Sequence, residues 1–192
     1  MFAYEPSYGK LVPGGCYLMS TLQTERLLLR PLAESDVAAL HDFWNDPEVR
    51  RYLWDGEHIS TERVIEIVTT SRACFDEMGA GFFALEMVGN PDALIGFCGY
   101  RRFEESTQPE LLYGILPEHW GEGFVTEAAN EVLRYGFEEC GMERVIAATD
   151  TPNQRSVRVM QRLGMIFEER REYHGLDTVF YALARSDFSA EL

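Results

Sequence analysis

Residues 113–128 read YGILPEHWGEGFVTEA, and the fold follows from how this stretch divides. An apolar strand-like run stops at Leu116-Pro117, because proline has no N–H to give a ladder. Gly121 and Gly123 then stand directly before a strong helical pattern. From Gly123 to Cys140, the residues Val125, Ala128, Ala129, Val132, Leu133 and Phe137 share one stripe, and Gly141 closes the helix. Strand, glycine turn and helix together suit an anion. The glycines let backbone amides converge, and the first helical turn carries unpaired donors and a partial positive charge. A Walker loop is excluded, since the one lysine of the chain is Lys10, and GxGxxG is absent. By spacing alone, the same glycines also suit a plain tight connection.

About thirty residues on, the strand Val145–Ala148 leads into Asp150-Thr151-Pro152-Asn153-Gln154-Arg155-Ser156. Asn153 is a good N-cap for a helix over Asn153–Leu163, with Gly164 after it. Arg155, Arg158 and Arg162 lie near one face of that helix, which holds no acid. They suit phosphates or a solvated face equally. Working outward, Leu27–Leu29 reads as a buried strand ended by Pro31, and Ser35–Asn45 as a helix closed by Asp46-Pro47. Ser60–Met78 reads as a second helix. Gly81–Met87, Leu94–Tyr100 and Glu110–Leu116 are three strands joined by turns; Phe167–Tyr173 and Thr178–Leu183 close the chain as a strand pair. The order β–α–α–β–β–β–α–β–α–β–β predicts a mixed α/β (α+β) sheet of six to seven strands. It should be mostly antiparallel, with helices on both faces and some parallel pairing near the end.

The chain has 192 residues, with 17 Lys+Arg against 32 Asp+Glu, a net charge of −15. At 46% apolar and 12% aromatic residues it can bury a real core. The charge argues against nucleic acid and anionic membranes as partners and leaves cationic ones open. No apolar run is long enough to span a bilayer, and Met1–Met19 lacks the pattern of a secretory signal. Cys16, Cys74, Cys98 and Cys140 show no zinc-type spacing and fit free thiols in a reducing cytoplasm, so no metal is expected. Residues 1–20 are Pro/Gly/Tyr-rich and read as an extension, with Met19 as an alternative start, ahead of one domain over 21–188. The Tyr-rich arm and the closing strand pair are candidate homodimer surfaces.

With these pieces in place, Pro117–Ala128 resembles the acyl-CoA-binding motif of the GCN5-related N-acetyltransferases (GNAT). It is closest to the branch that acetylates ribosomal-protein N-termini, the RimJ/RimL type. Thr24–Pro31, Asn45–Tyr52 and Asn153-Gln154-Arg155-Ser156 with Leu163-Gly164-Met165 are similar to other signatures of that branch, in the same order. The resemblance implies a GNAT fold with a splayed central parallel pair, Glu110–Leu116 beside Val145–Thr149, and acetyl-CoA in the gap. It places main-chain groups of Ile115 and Leu116 on the pantetheine arm, and amides of Gly121, Glu122, Gly123, Phe124, Val125 and Thr126 on the pyrophosphate. Asn153 would bond the pantetheine, Ser156 would face the thioester sulfur as acid, and Arg158 would lie on the cofactor wall. Glu110 is the first candidate for general base. Tyr113 and His119 are weaker ones, Trp120 is a packing residue, and His58 falls on a substrate-lining loop. Three departures stand out: Val125 for alanine, Leu112 for glycine, and Met160 where other relatives carry a catalytic tyrosine.

The function implied is acetyl transfer from acetyl-CoA to a primary amine, foremost a peptide N-terminus. A small-molecule amine (polyamine, amino sugar or antibiotic) or a non-catalytic CoA sensor are the alternatives. Residues 151–171 hold five basic and two acidic side chains, whereas residues 1–150 hold 11 and 26. A basic cofactor wall beside an acidic remainder favours a cationic acceptor.

Overall fold

Asp46 ends one helix and starts another. Its carboxylate accepts hydrogen bonds from the amides of Glu48 and Val49, and Pro47 occupies the first turn, where a missing N–H costs nothing. The reading of Asp46-Pro47 as a plain stop was therefore incomplete: α1 (Val37–Asn45) is followed at once by α2 (Pro47–Leu53).

The computed structural model describes residues 21–189. The expected extension over 1–20, Met19 and Cys16 lie outside the described residues. After α2 come α3 (Thr61–Met78), α4 (Phe124–Glu138) and α5 (Gln154–Arg162). The strands are β1 (Leu22–Gln23), β2 (Leu27–Pro31), β3 (Phe82–Met87), β4 (Asn90–Arg102), β5 (Pro109–Ile115), β6 (Arg144–Asp150), β7 (Ile166–Tyr173) and β8 (Leu176–Ala184). They form one sheet in the order β1-β2-β3-β4-β5-β6-β8-β7. Eight strands replace the six or seven expected, because β1 is two residues long and leaves no periodicity to read. Every neighbouring pair is antiparallel except β5 and β6, which are parallel and register at Glu110↔Ile146 alone. Among the described residues no helix is long and apolar enough to cross a membrane.

Strand alternation feeds two large cores, beside a smaller cluster of Phe103, Ile146, Phe180 and Ala182. Leu27, Leu29, Phe83, Leu85, Cys98 and Tyr100 face the buried stripe of α4, where Ala128, Ala129, Val132 and Leu133 are closed to solvent. Phe82, Ala84 and Phe97 face the other way, onto Leu40, Phe43 and Trp44 of α1 and Val64 and Val68 of α3.

A charged knot joins β2, β3 and the turn before α1. Arg30 donates to both oxygens of Asp36 at 2.7 Å and to Glu86 Oε1 at 2.7 Å, and both acids are buried. These carboxylates hold the guanidinium charged far above its ordinary range. Arg30→Met strands two buried carboxylates without a counter-ion. Urea unfolding of this variant should show a loss of about 3–5 kcal/mol; a loss within 1 kcal/mol would make the knot dispensable.

Candidate active site

The single register between β5 and β6 creates the site. Beyond Glu110 the two strands diverge, and a cleft of about 1010 Å³ occupies the gap. The Leu116 amide donates to the Ile95 carbonyl on the β4 side at 2.8 Å. Alternation then turns the main-chain groups of Tyr113 and Ile115 toward the gap. The Ile115 carbonyl accepts from the Trp120 indole N–H at 3.0 Å, which leaves the amides of Tyr113 and Ile115 as the donors facing the opening.

At one end of the cleft lies the glycine turn. Gly121 and Gly123 have φ of 85° and 83°, and Gly123 is the residue before the first turn of α4. The first amide of this helix to find a backbone acceptor is that of Glu127, on the Gly123 carbonyl. The amides before it are thus available to a ligand. Gly121, Gly123, Phe124, Val125 and Thr126 line the cleft. Facing them on α5 are Arg155, Arg158 and Arg162, which form no ion pair among the described residues; Arg155 stacks on the Trp120 ring at 4.1 Å.

In the middle stand the groups suited to proton transfer. Glu110 is 4% exposed, and Arg101, directly opposite it on β4, donates to its Oε2 at 2.6 Å. Burial pushes this carboxyl above its ordinary range, and Arg101 pulls it part of the way back. The Tyr113 hydroxyl lies 3.0 Å from Ser156 Oγ and 3.3 Å from the Ser156 carbonyl. Burial raises the phenol far above its usual value, so Tyr113 stays protonated throughout the working range.

The far end carries more acid than base. Asp55, Asp150, Glu48 and Glu57 line it without an ion pair among the described residues, beside Arg51 and beside Arg63, which pairs with Glu66. Burial and the nearby Asp55 charge raise the Asp150 carboxyl.

The sequence matches the description of an acetyltransferase (GNAT) domain over residues 26–166. The chain belongs to the GNAT acetyltransferases. It is 27% identical over 178 residues to the uncharacterized N-acetyltransferase p20 of Bacillus licheniformis, covering 89% of this chain and 99% of the relative. Among solved structures it resembles a spermidine N-acetyltransferase from Vibrio cholerae in complex with CoA and spermine. The TM-score is 0.70 at 20% identity, over 85% of this chain and 98% of the other. It also resembles the ribosomal L7/L12 α-N-protein acetyltransferase RimL in complex with CoA, with a TM-score of 0.69 at 19% identity over 84% and 95% of the two chains.

A GNAT acetyltransferase uses acetyl-CoA, and the residues present fit that group. Unpaired amides and three free arginines suit its phosphates, and a gap between diverging strands suits its extended arm. The structure places the expected site residues one by one. Leu116 does not line the cleft, and its amide and carbonyl are engaged by Ile95 and by the His119 amide. The Glu122 side of the loop also turns away from the cleft. Asn153 Oδ1 caps α5 through the Ser156 amide at 3.3 Å, and its Nδ2 donates to Thr149 Oγ1 at 3.0 Å. It has one N–H left for a ligand. His58 is absent from the lining and pairs with Asn45 Oδ1 at 3.0 Å. His119 lines the cleft but packs edge-on against Phe124. Met160 is core, and Trp120 joins packing to its bond with Ile115. The basic segment 151–171 is narrower than its charge count, because Arg170 pairs with Asp177, and Arg171 with Glu105 and Glu169.

Sequence reasoning missed Arg101 and Arg26. Arg101 lies one residue beyond Tyr100, the expected end of its strand; the strand runs on to Arg102 and sets Arg101 opposite Glu110. Arg26 bonds Glu127, 101 residues away, and no local pattern announces that contact.

Proposed function

We propose that this acetyltransferase moves an acetyl group from acetyl-CoA to a primary amine of a cationic acceptor. The observation that carries the reading is the polarity of the cleft. Unpaired amides and arginines stand at one end, unpaired carboxylates (Asp55, Asp150) at the other, and Glu110 with the Tyr113–Ser156 pair lies between.

When bound, acetyl-CoA supplies a thioester carbonyl that an amine can attack. Each remaining role falls to this chain. Glu110 takes the ammonium proton, since an alkylamine titrates near ~10 and is nearly all protonated at neutral pH. Its raised pKa brings it closer to the working pH, where a general base is most effective. The amides of Tyr113 and Ile115 hold the thioester oxygen as it gains charge. Ser156 gives its proton to the departing sulfur, and Tyr113 then donates to Ser156 Oγ. The new C–N bond is balanced by the broken C–S bond. Nitrogen sheds two protons between ammonium and amide: one enters Glu110, and the other replaces the proton that Ser156 gives to the sulfur. Amides of the 121–126 loop and Arg158 receive the phosphates, and Asn153 offers its remaining N–H to the pantetheine.

A peptide N-terminus is the acceptor class that the RimJ/RimL resemblance implies. An α-amino group also titrates only near ~8, so it asks least of the base. The deciding experiment measures CoA release with spermidine and with basic N-terminal peptides, in wild type and Asp150→Asn. The expected result is turnover with one of these classes. The Asp150→Asn variant should raise KM about tenfold, and added salt should raise KM in wild type. Acetyl-CoA binding without turnover on any amine would leave the sensor reading in place instead.

A further inference from the structure

The glycine turn faces a polyanion, yet it carries two acids, Glu122 and Glu127, one of them in the first turn of α4. On electrostatic grounds alone, Glu127 at that position opposes a phosphate. The structure shows how this conflict is resolved. The Glu127 carboxylate is turned out of the cleft and fully engaged by the β1–β2 connection. Thr24 Oγ1 donates to its Oε1 at 2.5 Å, and the Arg26 amide donates to the same oxygen at 3.0 Å. Arg26 Nε donates to Oε2 at 2.6 Å. These contacts hold Glu127 below the ordinary range of a carboxylate and therefore charged. The guanidinium then does two further things. It covers the Phe124 ring at 4.3 Å, and its NH1 donates to the Glu122 carbonyl at 3.0 Å.

The last contact fixes a direction. In a trans peptide, the C=O of one residue and the N–H of the next point in opposite senses. Holding the Glu122 carbonyl outward therefore turns the Gly123 amide inward. The lining agrees with this: Gly123 faces the cleft and Glu122 does not.

Resting on the reading of this loop as the pyrophosphate site, we propose that Arg26 is a positioning residue for the cofactor. It neutralises Glu127 and, through the Glu122 carbonyl, aims the Gly123 amide at the pyrophosphate. Arg26 lies far from the motif in sequence, on the opposite edge of the sheet from β7, and acts without lining the cleft itself.

The test compares binding of CoA with binding of S-acetylpantetheine, which lacks the pyrophosphate, in wild type, Arg26→Met and Arg26→Lys. Calorimetry follows CoA, ligand-observed NMR follows the fragment, and thermal unfolding checks that each variant is folded. Arg26→Met should weaken CoA about tenfold or more, because a misaimed amide and an exposed carboxylate both act against a charged ligand. S-acetylpantetheine affinity should stay within twofold. Arg26→Lys keeps the charge but cannot span both Glu127 and the Glu122 carbonyl, so a smaller CoA loss in the same sense is expected and keeps the test open if Arg26→Met fails to fold. Equal losses for CoA and fragment would mean general loosening and overturn the proposal. So would CoA affinity in Arg26→Met equal to wild type. Wild type that binds no CoA would instead sink the reading of the loop, a result distinct from either.

Discussion

Glu110→Gln should lower kcat about a hundredfold or more with either acceptor class, while CoA affinity stays near wild type. The argument begins with burial. A carboxylate at 4% exposure has lost most of its water, and that loss favours the protonated form. Arg101 limits the rise by favouring the carboxylate. A base works only when deprotonated. Wild-type kcat/KM should therefore fall as pH drops through the raised Glu110 value, placing the acidic limb above the ordinary carboxylate range. In Glu110→Gln that limb should vanish, leaving a low, flat rate over the same window. The variant should stay folded, because Arg101 is partly open to solvent and can be hydrated when its partner is neutral. Retention of the acidic limb in the variant would assign the base elsewhere. Ser156→Ala offers the contrast: it removes an acid rather than a base, so kcat falls and the acidic limb stays in place.

Gly123→Val should weaken CoA binding severely. Gly123 holds φ at 83°, a region that a β-branched residue enters only with strain of about 1–3 kcal/mol. The chain can relieve that strain by rotating the peptide on either side, and both rotations damage the site. Rotating one misdirects the Gly123 amide; rotating the other disturbs the first turn of α4. A Cβ at this position also stands 3.6 Å from Arg26 NH2, an ordinary contact, so crowding is a minor part of the effect. The expected loss in CoA affinity is about thirtyfold or more, measured by calorimetry. Thermal unfolding should fall only by as much as that strain, so that a folded variant can be compared with wild type. Wild-type affinity in this variant would show that the left-handed turn is incidental to binding.

The motif 117–128 was readable because its signal is local: the glycines, the helix stripe and the proline stop all lie within one window. Asn153 was read correctly as a cap for the same reason, from one residue and the three that follow it. Three kinds of feature escaped. Two-residue β1 has no period, and α2 hides behind a dipeptide that usually ends helices. His58 was placed on a substrate loop, yet Asn45 takes its ring nitrogen, a contact set by how α1 meets the segment after α2. The resemblance carried Leu116 into the cofactor contacts, but a single ladder bond to Ile95 decides which side its amide faces. Parity of this kind depends on register, and register depends on the partner strand.

The lone register between β5 and β6 has a mechanical consequence. The sheet is two plates, five strands and three strands, with a seam that the backbone ladder closes at one point only. Beyond a few side-chain bonds, what carries load across the seam is apolar: α4 packs on β4 and β5, α5 packs on β6, and Val132, Leu133, Val157 and Met160 belong to one core. Hydrogen bonds hold a fixed geometry, whereas apolar contact is non-directional. The plates can therefore part or close slightly at the cost of few directional contacts, the Tyr113–Ser156 bond among them. A slender thioester arm and a released thiol can share one slot on those terms, with the seam acting as a compliant joint between two stiff leaves.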